Sequence, residues 1–185
     1  MKNHILLVAL VVATLSFSAK AEAAGLLGDT INWQYYLNGG PLNLGGSPGS
    51  FIAGSTTSTF FTTFEISAND SQIIFNFSPG GIFSTSPVSY NVGGLYIENG
   101  ILLTDSLNPF SNVTIDASTT MAGFAPSNVT FNSSQLAINF AGLPLGNTNT
   151  LVVLNVSSAV PEPTSLLLLG TGLVGLALWR RNHTA

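Results

Sequence analysis

The sequence predicts an all-β fold: a β-sandwich, jelly-roll-like in order, flanked by an N-terminal signal helix and a C-terminal transmembrane helix. Three observations predict it. Residues 24–160 carry short runs rich in β-branched and aromatic residues between turn signals, with no helical periodicity of useful length. Long uninterrupted apolar runs stand only at the two ends of the 185 residues. Charged residues make up 6% of the chain and hydrophobic ones 45%, whereas roughly a quarter charged is usual for soluble domains. The organisation that follows is a secretory signal peptide at 1–23, a passenger domain at 24–158 and a C-terminal tail at 159–185.

Within the passenger, the runs 31–36, 59–67, 72–78, 88–92, 94–97, 112–117, 128–132, 135–140 and 151–157 read as strands. Thr63-Phe64-Glu65-Ile66-Ser67 and Ile74-Phe75-Asn76-Phe77-Ser78 alternate polar and apolar residues, as a strand with one buried face does. Asn69-Asp70 between them suits a hairpin connection. Further turn signals are Gly39-Gly40-Pro41, Gly45-Gly46, Pro79-Gly80-Gly81, Asn99-Gly100, Asn108-Pro109 and Gly146-Asn147. Residues 37–58, rich in Gly, Ser and Pro, read as a long surface loop. Ser111-Asn112-Val113-Thr114 recurs as Ser127-Asn128-Val129-Thr130, a sheet rhythm and not a solenoid period.

Charge placement narrows the chemistry. Lys2, Lys20, Arg180, Arg181, His4 and His183 all lie in the terminal segments. Between residues 24 and 160 there is no Lys, Arg, His or Cys, while Asp29, Glu65, Asp70, Glu98, Asp105 and Asp116 remain. Nucleic-acid binding needs Lys and Arg to neutralise phosphates, so no nucleic-acid partner is expected. Without cysteine no disulfide staples the fold. Serine triads, cysteine nucleophiles, phosphoryl clamps and zinc sites all lack their residues. The expectation is a passenger that is not an enzyme and carries no cofactor or metal.

Carboxylate chemistry is what remains. A glycosidase needs two carboxyl groups facing across a cleft, and nothing in the sequence pairs Glu65, Glu98, Asp70, Asp105 or Asp116. Asp70, Asp105 and Asp116 are the candidate calcium ligands, but no D-x-D-x-D loop is present and solvated turn carboxylates are the favoured reading. Asn69, Asn76, Asn112, Asn128, Asn132 and Asn155 head Asn-x-Ser/Thr triplets, which a composition this rich in Asn, Ser and Thr produces by itself. The run Ser55-Thr56-Thr57-Ser58-Thr59 is too short for the flat threonine array that ice binding needs.

The two ends read as addresses. A basic start at Lys2, an apolar run over residues 5–17 and the pattern Ala21-Glu22-Ala23 describe a signal peptide cut before Ala24. Cleavage after Ala21 is the second site the pattern allows. At the other end, Pro161-Glu162-Pro163 is held extended, because proline denies the stretch helical hydrogen bonds. Thr164 or Ser165 can cap the apolar helix 165–179 that follows. At 1.5 Å rise it reaches about 23 Å, short of the roughly 30 Å hydrocarbon core. Trp179 and snorkelling by Arg180 and Arg181 make up part of the difference, and the two arginines place the C-terminus in the cytoplasm.

Val160-Pro161-Glu162-Pro163, the Leu-rich helix with Gly170, Gly172 and Gly175, and the Trp179-Arg180-Arg181 end together resemble the PEP-CTERM sorting signal of Gram-negative bacteria. The resemblance implies processing by an exosortase, a membrane-embedded, cysteine-dependent, transpeptidase-like enzyme. It implies signal peptidase and the inner membrane as earlier, transient partners. Hosts of this system typically make exopolysaccharide, biofilm or floc. The expected role is therefore an exported surface or matrix protein, structural or adhesive, with Trp33, Tyr35 and Tyr36 as exposed aromatics for polysaccharide contact. The alternative is a secreted carbohydrate- or calcium-binding module.

Overall fold

The computed structural model of the chain describes residues 25–85, 88–146, 148, 150–158, 170, 172 and 173. The signal-peptidase residues Ala21, Ala23 and Ala24, the Pro161-Glu162-Pro163 motif, and Arg180 and Arg181 lie outside the described residues. Gly170, Gly172 and Leu173 are helical. Among the described residues no helix is long and apolar enough to cross a membrane.

The fold between residues 25 and 158 is all-β and antiparallel. In chain order the strands are β1 (Thr30–Leu37), β2 (Gly40–Leu42), β3 (Gly49–Ile52), β4 (Ser58–Phe60), β5 (Phe64–Ala68) and β6 (Gln72–Phe77). They continue as β7 (Tyr90–Val92), β8 (Leu95–Ile97), β9 (Asn99–Asp105), β10 (Phe110–Ile115), β11 (Val129–Phe131), β12 (Gln135–Asn139) and β13 (Thr150–Ser158). A 3-10 turn, Pro126–Asn128, precedes β11. One sheet runs β11-β12-β9-β1-β2, with β3 also paired to β1; the second runs β10-β13-β6-β5-β4; β7 and β8 form a hairpin.

Alternation explains the two layers. In β6, Ile73, Phe75 and Phe77 are buried while Asn76 is exposed; in β1, Ile31, Trp33 and Tyr35 are buried while Thr30 and Asn32 are exposed. These inward residues from both sheets join one core, together with Phe51, Ile101, Leu103, Leu136, Ile138, Val152 and Leu154. Aromatic rings bridge the layers. Tyr35 of β1 stacks on Phe60 of β4 at 4.3 Å between centroids, and Trp33 meets the same ring edge-on at 6.1 Å. The Trp33 indole Nε1 donates to Ser58 Oγ at 2.9 Å, so its one polar atom is satisfied inside the core.

Several expectations are corrected. The order is not that of a jelly roll. β4, β5 and β6 form a meander whose next neighbour, β13, lies beside β6, where a Greek key would return its fourth strand beside β4. Residues 37–58 are not a surface loop: they hold β2 and β3, and bury Ser47, Phe51 and Ala53. The run 59–67 is a hairpin, β4 and β5, with Phe60 paired to Phe64. Asn99-Gly100 is no turn but the start of β9, which lies between β1 and β12 and is buried at all but one of its positions. Its far side is covered because Leu102 packs with Tyr36, Leu95, Ile97 and Ala137 under the β7–β8 hairpin.

The Asn69-Asp70 hairpin forms as expected. Asn69 Oδ1 accepts the N–H groups of Ser71 at 3.0 Å and Gln72 at 2.8 Å, a side chain standing in for a backbone acceptor in the turn.

Candidate functional site

The acidic residues do not assemble into the sites considered from sequence. Glu65 is exposed on β5 and Glu98 is exposed just before β9, so the two stand on different sheets. Asp70, Asp105 and Asp116 do not meet, and no group of three or more His, Cys, Asp or Glu residues able to hold a metal exists among the described residues. Asp70 sits over Gly25, with Leu27 N–H 3.4 Å from its Oδ1. Asp116 Oδ1 accepts from Ser118 N–H at 2.9 Å and from Ser118 Oγ at 2.7 Å, and Oδ2 accepts from Asn155 Nδ2 at 2.9 Å. The Ser118 amide, the Ser118 hydroxyl and the Asn155 amide hold the Asp116 carboxyl below the usual carboxylate range. Asp105 is displaced upward instead, first by burial and in part by Asp29 beside it.

The aromatics singled out for surface contact are interior. Trp33, Tyr35 and Tyr36 are 2%, 4% and 7% exposed. Tyr35 Oη donates to Asn99 Oδ1 in a short bond, and Asn99 Nδ2 donates onward to Ser84 O at 2.8 Å. Burial pushes the Tyr35 phenol well above its ordinary range, so it stays a neutral donor. Tyr36 faces the other way and stacks on Tyr90 at 5.2 Å. Both neighbours on one strand are buried because β1 has the core on one side and the β7–β8 hairpin on the other.

Among the described residues the exposed aromatics are Phe61, Tyr96 and Phe131. Phe61 has the most built surroundings. It sits in the β4–β5 turn at φ 48°, a left-handed conformation that a bulky side chain adopts only when its surroundings impose it. Its N–H donates to Gly45 O at 2.8 Å. Its ring lies across Gly45, where any Cβ would come within 2.2 Å of the ring. The ring is still 54% exposed, at the rim of an open cleft of about 310 Å³.

Cross-strand register builds the floor of that cleft. Thr59 of β4 pairs with Glu65 of β5, and Glu65 pairs with Asn76 of β6. All three are exposed. A hydroxyl, a carboxylate and an amide thus form a row across the second sheet, with Thr62 and Ser78 beside it. The cleft has one carboxylate, one fewer than glycoside hydrolysis uses. The sequence held a signal for this: Phe60 and Phe61 are adjacent, and successive strand residues face opposite sides.

A second, apolar groove of about 510 Å³ runs between the edge strands β10 and β11 and is lined by Val113, Ile115, Phe124, Pro126, Val129 and Phe131. The repeated Ser-Asn-Val-Thr tetrapeptides contribute Val113 and Val129 to it from opposite sheets. Among the Asn-x-Ser/Thr asparagines, Asn69, Asn132 and Asn155 spend their side chains on turns and on Asp116. Thr56 Oγ1 likewise accepts Ile52 N–H at 2.7 Å, within a turn and not in a flat threonine array.

Fold and surface therefore define an all-β, base-free domain whose open face offers hydroxyl and amide groups beside one held aromatic. The chain carries a PEP-CTERM protein-sorting motif at residues 159–182. That segment contains Pro161, Glu162, Pro163, Arg180 and Arg181. The motif implies an exported protein processed at the membrane by an exosortase. No curated protein and no solved structure matches the chain.

Proposed function

We propose that this chain is a non-enzymatic passenger of the exosortase system, a β-sandwich delivered to the cell surface or extracellular matrix, where it contacts exopolysaccharide. On this reading signal peptidase removes residues 1–23, the tail helix anchors the protein at the inner membrane, and exosortase acts at Pro161-Glu162-Pro163. The sorting motif at 159–182 carries the reading. The row Thr59, Glu65 and Asn76 beside the exposed Phe61 ring supports the choice of a neutral polymer. Sugar rings present C–H faces to an aromatic and hydroxyls to amide, hydroxyl and carboxylate groups.

The test is a knock-out strain complemented with the parent gene, with Pro161→Ala plus Pro163→Ala, or with Phe61→Ala, scored for tail processing, floc formation and polysaccharide retention. The tail variant is expected to remain uncut at the inner membrane. Phe61→Ala is expected to be processed normally yet retain several-fold less polymer. Normal processing of the tail variant refutes the sorting role of the prolines, and unchanged retention by Phe61→Ala refutes the cleft.

A further inference from the structure

We propose that Asp29 and Asp105 hold a calcium ion inside one end of the domain. Asp105 is the last residue of β9, and Asp29 immediately precedes β1. The β1–β9 register pairs Ile31 with Asp105, and Ile31 belongs to the core. Asp29 is 7% exposed and Asp105 1%. No Lys, Arg or His occurs between residues 24 and 160, so the domain has no side-chain cation to place beside either carboxylate.

Donors satisfy only part of this pair. Asp105 Oδ1 accepts the N–H groups of Leu107 at 2.8 Å and Asn108 at 3.1 Å. Asn108 Nδ2 donates to Asp29 Oδ2 at 2.6 Å. Asp105 Oδ2 is buried and meets no donor. The group beside the Asp105 carboxyl is the Asp29 carboxyl, within hydrogen-bond reach of it. Two buried carboxylates so placed need either a shared proton or a cation between them, and the orphaned oxygen leaves room for the cation.

A second orphan stands at the same end. Among the described residues, the only other buried side-chain atom without a partner is Ser158 Oγ. Ser158 ends β13 and pairs with Phe110, and the 105–110 connection carries the chain from Asp105 to that residue. Carboxylate oxygens with no nitrogen or sulfur ligand suit a hard cation, with water completing the shell. Since among the described residues no third acidic group joins the pair, the two negative charges match one divalent ion. The affinity class is that of extracellular modules, a Kd of about 10⁻⁴–10⁻³ M.

Thermal unfolding of the full chain in detergent, stripped with chelator and then supplied with calcium chloride, tests this directly. At about ten times its Kd, calcium should raise Tm by roughly 4–6 °C. Magnesium at equal ionic strength should do less, because it keeps its own waters. Asp29→Asn and Asp105→Asn should each abolish the response. Calorimetric titration of the parent chain should give one calcium per chain, a readout that holds if either variant fails to fold. No binding to the parent overturns the proposal, as does an undiminished response in both variants. A parent whose Tm falls with rising pH but ignores calcium also overturns it, since the pair then shares a proton.

Discussion

Replacing Gly100 with alanine places a methyl group where the neighbouring strand already stands. Gly100 pairs with Tyr36 on one side and Asn139 on the other. A Cβ at Gly100 would lie 1.9 Å from Ile138 O, 2.9 Å from Ile138 C and 3.0 Å from Asn139 Cα. Ordinary close carbon–oxygen contacts are about 3.3 Å or longer, so β12 must retreat by about 1.4 Å or β9 must bend. The obstacle is backbone and cannot rotate aside. Retreat also strains the β9–β12 ladder from Gln135–Thr104 to Asn139–Gly100, together with the Phe140 N–H bond to Asn99 O at 2.7 Å. Overpacking costs about 1–3 kcal/mol where side chains can adjust. With fixed backbone in the way, we expect at least the top of that range, about 3 kcal/mol, or a Tm lower by about 10 °C. Gly40→Ala is the control. It lies on β2 with nothing within 4 Å of the added methyl, so its effect should stay within about 1 kcal/mol and favour stability through the unfolded chain. Thermal scans by far-ultraviolet circular dichroism decide the matter. Should Gly100→Ala melt within about 3 °C of the parent, Asn99-Gly100 is a turn after all and β9 is misplaced.

Two other outcomes follow from the polar groups. Tyr35→Phe leaves Asn99 Oδ1 buried without its donor, and urea unfolding should show a loss of about 1–3 kcal/mol; a loss indistinguishable from zero would mean the pair contributes nothing. Asp116 has a folded pKa lowered by Ser118 and Asn155, so its contribution is present above the ordinary aspartate value, about 3.9, and disappears as pH falls through the folded value. Asp116→Asn should therefore lower Tm at pH 7, and the gap should close as pH falls below the ordinary aspartate range; a pH-independent gap would refute the electrostatic account.

What the sequence made legible follows from how local each signal is. The strands with one solvent face announced themselves through alternation, as at Ile73, Phe75 and Phe77 with Asn76 between the last two. β9 did not, because both its faces are covered and Asn99-Gly100 imitates a turn. Whether Tyr36 is exposed depends on the β7–β8 hairpin some sixty residues away, which composition cannot reveal. Residues 37–58 look like a loop because glycine and proline dominate them, and only Phe51 hinted at a buried strand. The tail was legible because sorting enzymes read a linear peptide, and its order of prolines, apolar run and arginines needs no folding to be recognised. The cleft at Phe61 needed the register of three strands.

The lack of bases explains how the carboxylates are used. In most domains a buried or half-buried Asp finds Arg or Lys; here the only donors on offer are amides and hydroxyls. Asp116 closes its turn on Ser118 and takes Asn155 across the sheet. Asp105 clips the Leu107 and Asn108 amides, and Asn108 turns its own side chain to Asp29. Such donors carry dipoles but no net charge, so each can satisfy an oxygen without neutralising it. Asp116 is only half-buried and needs no more, since water reaches and screens what remains. The Asp29–Asp105 pair is shut away from water and cannot be screened. That difference makes the response to calcium diagnostic: it should vanish with Asp29→Asn or Asp105→Asn and survive intact in Asp116→Asn. Loss of the response in Asp116→Asn would show that calcium acts through the domain's overall negative charge and not through a site.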